Sequence, residues 1–181
     1  MQNCVLLDKK DIRKFAISKR NEMANLGVIK NISSLIVDKI LKSKDYINSK
    51  NIAIYLSIKN EIDISKLLLD KSKNFYLPRC CGEDLEFSGF EGFKSLRQNK
   101  WGIFEPVGEK IDPSILDLIF VPALAANPDG YRIGYGKGFY DKFFAKYMLK
   151  AKKIVVVPSS LILNFDCHEK TDIICDYLLS D

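Results

Sequence analysis

The chain lacks long hydrophobic runs and any recognisable secretion signal. None of its apolar runs approaches the roughly 18 to 20 residues that a membrane-spanning helix needs. The opening residues contain no positive region followed by a long apolar stretch and a small-residue cleavage site. We therefore expect a cytoplasmic protein that has no membrane partner.

The sequence has no Cys-x-x-Cys pair, and its five cysteines are an odd number. Cys80 and Cys81 are adjacent, which is poor geometry for a mutual disulfide bond. We therefore expect free thiols in a reducing compartment. A zinc site made by Cys80, Cys81, Cys167 and His168 is the alternative, but its spacing does not match ordinary zinc modules.

Several well-known catalytic motifs are missing as well. A P-loop requires Gly-x-x-x-x-Gly-Lys-Ser/Thr, whereas Tyr131 stands at the first glycine position here and Gly138 follows the lysine. The chain has no dinucleotide fingerprint, no kinase His-Arg-Asp or Asp-Phe-Gly element and no Gly-x-Ser-x-Gly elbow. The single histidine, His168, has no obvious nucleophile nearby except Cys167, which favours a structural role.

The composition is that of one ordinary globular domain. With 181 residues, 47% of them hydrophobic and 28% charged, the chain can bury a substantial core. Because it has no linker, repeat or low-complexity block, we predict a single domain over residues 1–181. The net charge of +5 suits anionic small molecules and is too diffuse to demand nucleic acid.

Hydrophobic periodicity predicts strands that alternate with helices. Asp8 is the expected N-cap of the first helix, whose apolar stripe contains Ile12, Phe15, Ala16 and Met23. The alternation favours α/β layers with a largely parallel sheet. The predicted helices are 9–24, 28–42, a short one over 63–70, and 138–149, where Phe139, Phe143, Tyr147, Tyr140, Phe144 and Met148 are expected in the core. The predicted strands are 51–58, 74–78, 117–121, 153–157 and 173–178, with a hairpin over 81–93.

The most distinctive stretch is Asn127 to Asp141, which holds four of the ten glycines. A buried strand precedes it and a helix follows it, so backbone N–H groups and a helix N-terminus can cradle phosphate there. Lys137 and Arg132 add positive charge, and Asp141 is placed to hold a metal ion beside that phosphate. A tight strand-to-helix connection with glycines at positive φ is the alternative, but we favour phosphate binding.

Two other segments carry charge at telling positions. Lys9, Lys10 and Arg13 form a cationic first helical turn, which opposes the helix dipole and suggests that a ligand supplies negative charge. A solvated basic face is an equally good interpretation. Glu61 follows a buried strand, at the edge where open α/β sheets place their ligands, although a surface acid is the alternative.

Residues 132–141 read Arg-Ile-Gly-Tyr-Gly-Lys-Gly-Phe-Tyr-Asp and follow an apolar strand and an Asp-Gly turn. In this they resemble the main motif of the 5-formyltetrahydrofolate cyclo-ligase family, whose members are also called methenyltetrahydrofolate synthetases. Other pieces agree with the family in order and spacing: the basic residues 9–13, Tyr55-Leu56-Ser57 followed by Glu61, residues 101–106, and residues 168–172 with Asp176.

The resemblance implies a fold and a set of site residues. The fold would be a three-layer α/β/α arrangement with a largely parallel open sheet. ATP would contact Lys9, Lys10, Arg13, Arg132, Ile133, Gly134, Tyr135, Gly136, Lys137, Gly138, Phe139 and Tyr140. The folate would contact Arg13, Leu56, Glu61, Tyr135, Gly136, Lys137, Gly138 and Phe139. Magnesium would be bound by Asp141 and Asp172, and the catalytic residues would be Lys137 and Arg132.

The implied activity is the ATP-dependent cyclisation of 5-formyltetrahydrofolate to 5,10-methenyltetrahydrofolate, with release of ADP and phosphate, through phosphorylation of the formyl oxygen. Mg²⁺ is the implied cofactor, ATP the co-substrate, and a monomer without a nucleic-acid partner is expected. Phosphoryl transfer needs positioning and charge neutralisation, so the missing nucleophile–base pair fits. The alternatives are a non-catalytic nucleotide- or folate-binding module of the same fold and, less favoured, a basic RNA-binding protein.

Two stretches depart from the family pattern. Residues 123–127 read Ala-Leu-Ala-Ala-Asn, where the family often has Gly-Leu-Ala-Phe-Asp. Residues 157–160 read Val-Pro-Ser-Ser, where a stretch leading to a glutamine is more usual. We expect the wall beside the Asp-Gly turn to differ in shape, while the phosphate and metal groups stay the same.

Overall fold

The computed structural model describes residues 8–100, 102–165 and 167–181. Trp101, which belongs to one of the segments that resemble the family, lies outside these residues, as does Cys4. Among the described helices, none combines the length and the apolar character that crossing a bilayer requires.

Ten strands form one large sheet and two small ones within the described residues. In chain order, β1 to β10 are Asn51–Ala53, Asn74–Cys81, Asp84–Gly89, Leu96–Gln98, Phe104–Pro106, Leu118–Pro122, Ala125–Ala126, Arg132–Ile133, Lys152–Val156 and Tyr177–Leu179. The large sheet has the order β10-β9-β6-β1-β2-β3, and every neighbouring pair in it is parallel except β2 with β3. The predicted α/β class with a largely parallel sheet is confirmed.

The described residues contain four α-helices; α1 to α4 are Lys9–Asn25, Val28–Lys42, Lys44–Asn48 and Phe139–Lys146. Side chains alternate between the two faces of each strand. Along β6, Leu118 and Phe120 pack in the cluster that contains α2, whereas Ile119 and Val121 pack in the cluster that contains α4. Helices therefore lie on both faces, in agreement with the three-layer expectation.

The first two helices follow their predicted bounds closely because their ends are strongly marked. The Asp8 carboxylate accepts the backbone N–H of Asp11 at 2.8 Å, which fixes the start of α1. Gly27, at φ 70°, separates α1 from α2. Both Ile36 and Ile40 of α2 are fully buried, as their spacing predicted.

The first strand is shorter than predicted, because the apolar residues after Ala53 form a loop. The Tyr55 hydroxyl donates a hydrogen bond to the carbonyl oxygen of Ile62 at 2.8 Å, across the base of that loop. The chain then reverses where the Glu61 N–H donates to the Ile58 carbonyl at 3.1 Å. A buried loop and a buried strand have the same apolar pattern, so the pattern alone predicted too long a strand.

Two core predictions were wrong. Phe15 is 49% exposed and Met148 is 99% exposed. Met148 lies beyond the end of α4, because Tyr147 already has an extended backbone with φ −118°. Residues Ser65–Leu69 form a 3₁₀-helix, and β10 begins at Tyr177 instead of residue 173. The hairpin predicted for 81–93 is confirmed as β2 with β3, but it begins earlier, at Asn74.

Candidate active site

The glycine-rich segment, residues 134–138, lies beyond the carboxyl end of β6. A small hairpin that was not predicted from the sequence comes between the two. Its two strands, β7 and β8, are antiparallel. Asn127 shapes the turn between them: its side-chain oxygen accepts the Tyr131 N–H at 2.9 Å and its carbonyl accepts the Gly130 N–H at 3.1 Å. Residues 134–138 follow, and Gly138 is the N-cap of α4 at φ 66°.

Gly130 joins this turn to the segment near the end of the chain. Its carbonyl accepts the Cys175 N–H at 3.0 Å. Its φ is +93°, and an added Cβ would lie 2.5 Å from the carbonyl oxygen of Cys175. Only glycine fits such a backbone and such a close approach.

Arg13 connects α1 to the glycine-rich segment. Its Nε donates a hydrogen bond to the Gly134 carbonyl at 2.9 Å. Gly136 has a φ of +96°, and a Cβ added there would lie 3.5 Å from the Arg13 Cζ. Two elements that are far apart in sequence, the cationic first turn and the glycine-rich segment, are therefore in contact.

Arg132 and Asp141 form an ion pair beneath the segment. The guanidinium nitrogen lies 2.8 Å from Asp141 Oδ1, and the Arg132 side chain is only 5% exposed. Arg132 also donates to the Ile173 carbonyl at 2.8 Å, while the Ile173 N–H donates to Asp141 Oδ1 at 3.0 Å. The backbone of residue 173 is therefore used in the site, which explains why β10 starts later than predicted.

Lys9 and Asp172 form a second ion pair at the same place. The Lys9 ammonium lies 2.6 Å from Asp172 Oδ2 and 3.0 Å from Glu169 Oε1. Burial opposes the charge of Lys9, but the hydrogen bonds and charges of the two carboxylates outweigh it and raise the pKa of Lys9. Since Asp172 directly precedes Ile173, the two ion pairs are neighbours.

Glu61 is a buried carboxylate, so the surface alternative is wrong. Its side chain accepts the Ile58 N–H at 3.0 Å, and the residue is 6% exposed. Burial raises the pKa of Glu61 to about 7, against the opposing effects of the Ile58 N–H and of the positive charges of Arg20 and Lys59. This acid therefore titrates near neutral pH.

Two tyrosines, Tyr140 and Tyr135, lie within electrostatic range of this carboxylate. The Tyr140 hydroxyl is buried and has no hydrogen-bond partner among the described residues. Burial and then the charge of Glu61 raise the pKa of Tyr140 well above its ordinary value. The same two causes, in the same order, raise the pKa of Tyr135 to about 12. An unpaired buried hydroxyl next to an acid is a place where a ligand can supply the missing partner.

The remaining predicted site residues divide into exposed and packed groups. Lys10 and Lys137 are exposed, which leaves their ammonium groups accessible to an anion. Ile133 is 2% exposed and packs in the cluster beneath α1. Leu56 packs on the core cluster near Glu61, and Phe139 packs on the cluster of α4. The structure thus joins Arg13 to residues 134–138, Arg132 to Asp141 and Lys9 to Asp172, whereas the Ile133 side chain is turned into the core.

Sequence reasoning missed several residues that organise the site. Arg20 is 2% exposed and lies on the apolar stripe of α1, one turn after Ala16. A single charged residue on an otherwise apolar helix face was the feature of the sequence that could have identified it. Glu169 was not distinguished from the residues around it. His168 stacks on Tyr131 with ring centroids 4.2 Å apart, which supports the structural role preferred for this histidine.

The carboxylates of Asp141 and Asp172 are the groups that can hold a metal ion. Within residues 8–100, 102–165 and 167–181, no three or more His, Cys, Asp and Glu side chains come together as a metal site, which includes the zinc alternative. Mg²⁺ is commonly bound by one or two carboxylates that share it with substrate phosphates. This donor pair fits such an ion.

The chain is similar to known proteins in sequence and in structure. A model described as the 5-formyltetrahydrofolate cyclo-ligase family matches residues 6–170. The chain is 32% identical to a Schizosaccharomyces pombe protein named "Probable 5-formyltetrahydrofolate cyclo-ligase", over 78% of this chain and 74% of that protein. It is 29% identical to the 5-formyltetrahydrofolate cyclo-ligase of Mycoplasma genitalium, over 96% of both chains.

A solved structure is similar throughout. The NMR structure of Aquifex aeolicus 5,10-methenyltetrahydrofolate synthetase has a TM-score of 0.83 at 29% identity, and the match covers 94% of this chain and 88% of that one. The similarity therefore extends over nearly the whole fold.

Proposed function

This chain belongs to the 5-formyltetrahydrofolate cyclo-ligase family, and from this premise we propose how its side chains carry out the reaction. The family's enzymes are ATP-dependent ligases of folate one-carbon metabolism, and this chain is one of them. It converts 5-formyltetrahydrofolate and ATP into 5,10-methenyltetrahydrofolate, ADP and phosphate. The observation that carries the proposed assignment of residues is the meeting of Lys9–Asp172 and Arg132–Asp141 beside the glycine-rich segment.

The phosphates of ATP bind, in this proposal, to the backbone of residues 134–138 and to the N-terminus of α4. Arg13 and Lys137 neutralise the charge that moves during phosphoryl transfer. Arg13 is already held at the segment by its bond to the Gly134 carbonyl, so little side-chain freedom is lost when a phosphate arrives. Lys137 is exposed and can close over the γ-phosphate.

Mg²⁺ is held by Asp141 and Asp172 in this proposal. When bound, the ion neutralises phosphate charge and helps to orient the γ-phosphate. Both carboxylates are paired with cations in the structure, Asp172 with Lys9 and Asp141 with Arg132. We expect the cations to turn toward the phosphates when the carboxylates take the metal, so that charge remains balanced.

The folate binds beside Glu61 and Leu56. A carboxylate accepts two parallel N–H bonds from an aminopyrimidinone ring such as that of the pterin. Glu61 is buried at the carboxyl end of β1, next to the glycine-rich segment, which brings the formyl group toward the γ-phosphate. The Tyr140 hydroxyl lies where the charges of Glu61 and Arg132 both act on it, between the folate and phosphate sides.

The reaction follows in two steps that need no protein nucleophile. The formyl oxygen attacks the γ-phosphorus of ATP and ADP leaves. The folate N10 then attacks the activated formyl carbon, the carbon–oxygen bond breaks, phosphate departs with that oxygen and N10 loses its proton. The protein's contribution is to align the two substrates and to stabilise charge on the transferred phosphoryl group.

The test follows the near-ultraviolet absorbance of 5,10-methenyltetrahydrofolate in reactions with and without ATP and Mg²⁺. We expect product only when both are present. Lys137→Ala should lower kcat by about 10²-fold or more, because charge stabilisation is lost in the transition state. The matched control is Lys142→Ala, which removes an exposed lysine paired with Glu83 at 2.9 Å and should leave kcat unchanged. A folded protein that binds ATP or folate without forming product would instead be a non-catalytic binding module.

We also propose that the protein is a cytoplasmic monomer that does not bind nucleic acid. The diffuse net charge of +5 supports the last point. Light scattering after size-exclusion chromatography checks the monomer, and salt-sensitive binding to single-stranded RNA would contradict the absence of a nucleic-acid partner.

A further inference from the structure

Arg20 is a buried charge that the proposed reaction does not use. It lies on the core-facing side of α1, with Ile12, Ala16 and Met23, and is 2% exposed. Burying a guanidinium is costly unless its N–H groups are satisfied. The structure therefore needs a reason to keep it there.

Each nitrogen of the guanidinium donates to a backbone carbonyl. Nη2 donates to Ala123 at 2.6 Å, Nη1 to Asn60 at 2.9 Å and Nε to Leu124 at 3.2 Å. Asn60 follows β1, whereas Ala123 and Leu124 follow β6, the neighbouring strand of the sheet. One side chain of α1 thus holds the loop that follows β1 against the residues that directly follow β6, at the edge of the sheet where the site lies.

These acceptors are neutral carbonyls, so the charge of Arg20 is balanced from elsewhere. Burial lowers the pKa of Arg20, and the nearby charge of Glu61 opposes that effect. Glu61 directly follows Asn60, whose carbonyl Arg20 holds. The arginine consequently both fixes the loop that carries Glu61 and places a positive charge near the carboxylate.

We propose that Arg20 is a positioning residue for the folate: it holds the Glu61 loop against residues 123–124 and places a positive charge near the carboxylate that receives the pterin. The proposal rests on the proposed role of Glu61. Because Arg20 binds main-chain oxygens, the contact does not depend on the side chains at residues 123–124, where this chain departs from the family pattern.

Burial, the Ile58 N–H and a small group of side chains together act on the charge state of Glu61. Two cations favour the carboxylate, Arg20 from α1 and Lys59 from the same loop. Three tyrosines interact electrostatically with it: Tyr55 of the same loop, Tyr135 of the glycine-rich segment and Tyr140 of α4. If Arg20 is removed, Lys59 is the cation that remains, and Glu61 should then stay protonated to higher pH.

The test compares Arg20→Gln and Arg20→Lys in the wild-type background. KM for the folate, KM for ATP and kcat are measured from about pH 6 to about pH 9. At neutral pH, Arg20→Gln should raise the KM for folate roughly tenfold or more, while the KM for ATP changes less than about twofold. The midpoint at which folate binding improves with pH should move upward in Arg20→Gln. Arg20→Lys keeps the charge, but its single ammonium cannot reproduce the planar fork of a guanidinium that reaches three separate carbonyls. It should therefore raise the KM for folate without moving the midpoint.

The matched control is Asn21→Ala. Asn21 is the next residue of α1 and accepts a bond at 2.8 Å from the side chain of Asn60, in the same loop, but has no charge. It should leave the pH midpoint unchanged. If Arg20→Gln does not fold, the KM of Arg20→Lys decides: an unchanged folate KM would overturn the proposal, as would an unmoved midpoint in a folded Arg20→Gln.

Failure of the underlying function gives a different result. A wild-type protein without ATP-dependent product formation would contradict the proposed function itself. A wild-type enzyme whose Glu61→Gln variant keeps both its folate KM and its pH midpoint would contradict the role of Glu61. The proposal for Arg20 alone is contradicted if wild type forms product and Glu61→Gln alters folate binding, while the Arg20 variants show no selective effect on the KM for folate.

Discussion

The Lys9 ammonium lies 2.6 Å from Asp172 Oδ2 and 2.9 Å from Oδ1, so a lysine of the first helical turn holds a carboxylate near the other end of the chain. This ion pair offsets the unfavourable interaction between the cations of the first turn and the helix dipole. The protein's own acids, Asp172 and Glu169, supply the negative charge in the structure. When ATP and Mg²⁺ bind, the contacts between Lys9 and these acids must therefore break, so that Lys9 can contact phosphate and Asp172 can contact the metal ion.

Removing Lys9 should separate metal binding from nucleotide binding. In Lys9→Met, Asp172 loses its competing cation, so Mg²⁺ alone should bind more tightly, while ATP, which loses a phosphate contact, should bind about tenfold more weakly. Calorimetry with each ligand separately measures both effects. Lys19→Met is the control, because Lys19 pairs with Glu22 on the exposed part of the same helix. Unchanged Mg²⁺ binding in Lys9→Met would contradict the exchange.

Ionisation of Glu61 should cost stability as the pH rises. Its folded-state pKa is about 7, above the ordinary 4.5, so the folded protein binds one more proton than the unfolded chain between these values. Stability should therefore fall through that window, and Glu61→Gln should be more stable than wild type at pH 8, by up to about 3 kcal/mol.

Denaturant unfolding at about pH 4.5 and about pH 8 checks this, and the difference between Glu61→Gln and wild type should vanish at the lower pH. The control is Glu22→Gln, which changes an exposed carboxylate of α1 and should show no such window. A Glu61→Gln variant whose free energy of unfolding equals that of wild type at both pH values would contradict the raised pKa of Glu61. The same variant should bind the folate poorly, because one carboxylate oxygen becomes a donor.

Removing the buried hydroxyl of Tyr140 and removing that of Tyr55 should have opposite effects on the free energy of unfolding. The Tyr140 hydroxyl has no partner in the described part of the chain, so Tyr140→Phe should leave the free energy of unfolding unchanged or raise it by about 1 kcal/mol. Tyr55→Phe removes the 2.8 Å bond to the Ile62 carbonyl and should lower it by about 1 to 3 kcal/mol.

Tyr140→Phe should lower activity although it does not lower stability. If its hydroxyl awaits a substrate atom, kcat/KM for the folate should fall by about tenfold in a protein that is no less stable. Steady-state kinetics and denaturant unfolding on one preparation measure both quantities. Unchanged kinetics in Tyr140→Phe would mean that the hydroxyl has no substrate partner.

Gly130 should be the least replaceable glycine of the turn. Gly130→Ala would place a Cβ 2.5 Å from the Cys175 carbonyl at a φ of +93°, so we expect a loss of about 1 to 3 kcal/mol or more. Gly134→Ala is the control, since no atom lies within 4 Å of its added Cβ. Thermal unfolding ranks the two variants. Equal stability would show that the 172–175 segment moves aside freely.

The sequence predicted those elements whose ends and periods are local. Asp8 and Gly27 mark the helix ends, and the buried residues of α2 recur at helical spacing, so α1 and α2 could be placed closely. The glycine-rich segment was recognisable because its composition is unusual. Its contact with Arg13, 121 residues away, depends on tertiary packing that no local pattern contains.

The elements that were predicted wrongly or missed also depend on tertiary packing, which no local pattern contains. Residues after Ala53 are apolar because they are buried, and burial alone does not distinguish a loop from a strand. The short hairpin pairs two alanines in β7 with Arg132–Ile133 in β8, and strands of two residues are too short to show an alternating pattern. Arg20 was overlooked because surface arginines are common, whereas its position on an apolar stripe should have marked it as buried.

Lys9 and Asp172 also bear on how the protein is made. The lysine is synthesised 163 residues before its partner. At roughly 5 to 20 residues per second, about 10 to 30 seconds pass before the ribosome produces the aspartate. Cys175, which binds Gly130, is made later still. Five of the six strands of the large sheet, all but β10, are therefore synthesised while the nucleotide site is still open at one side.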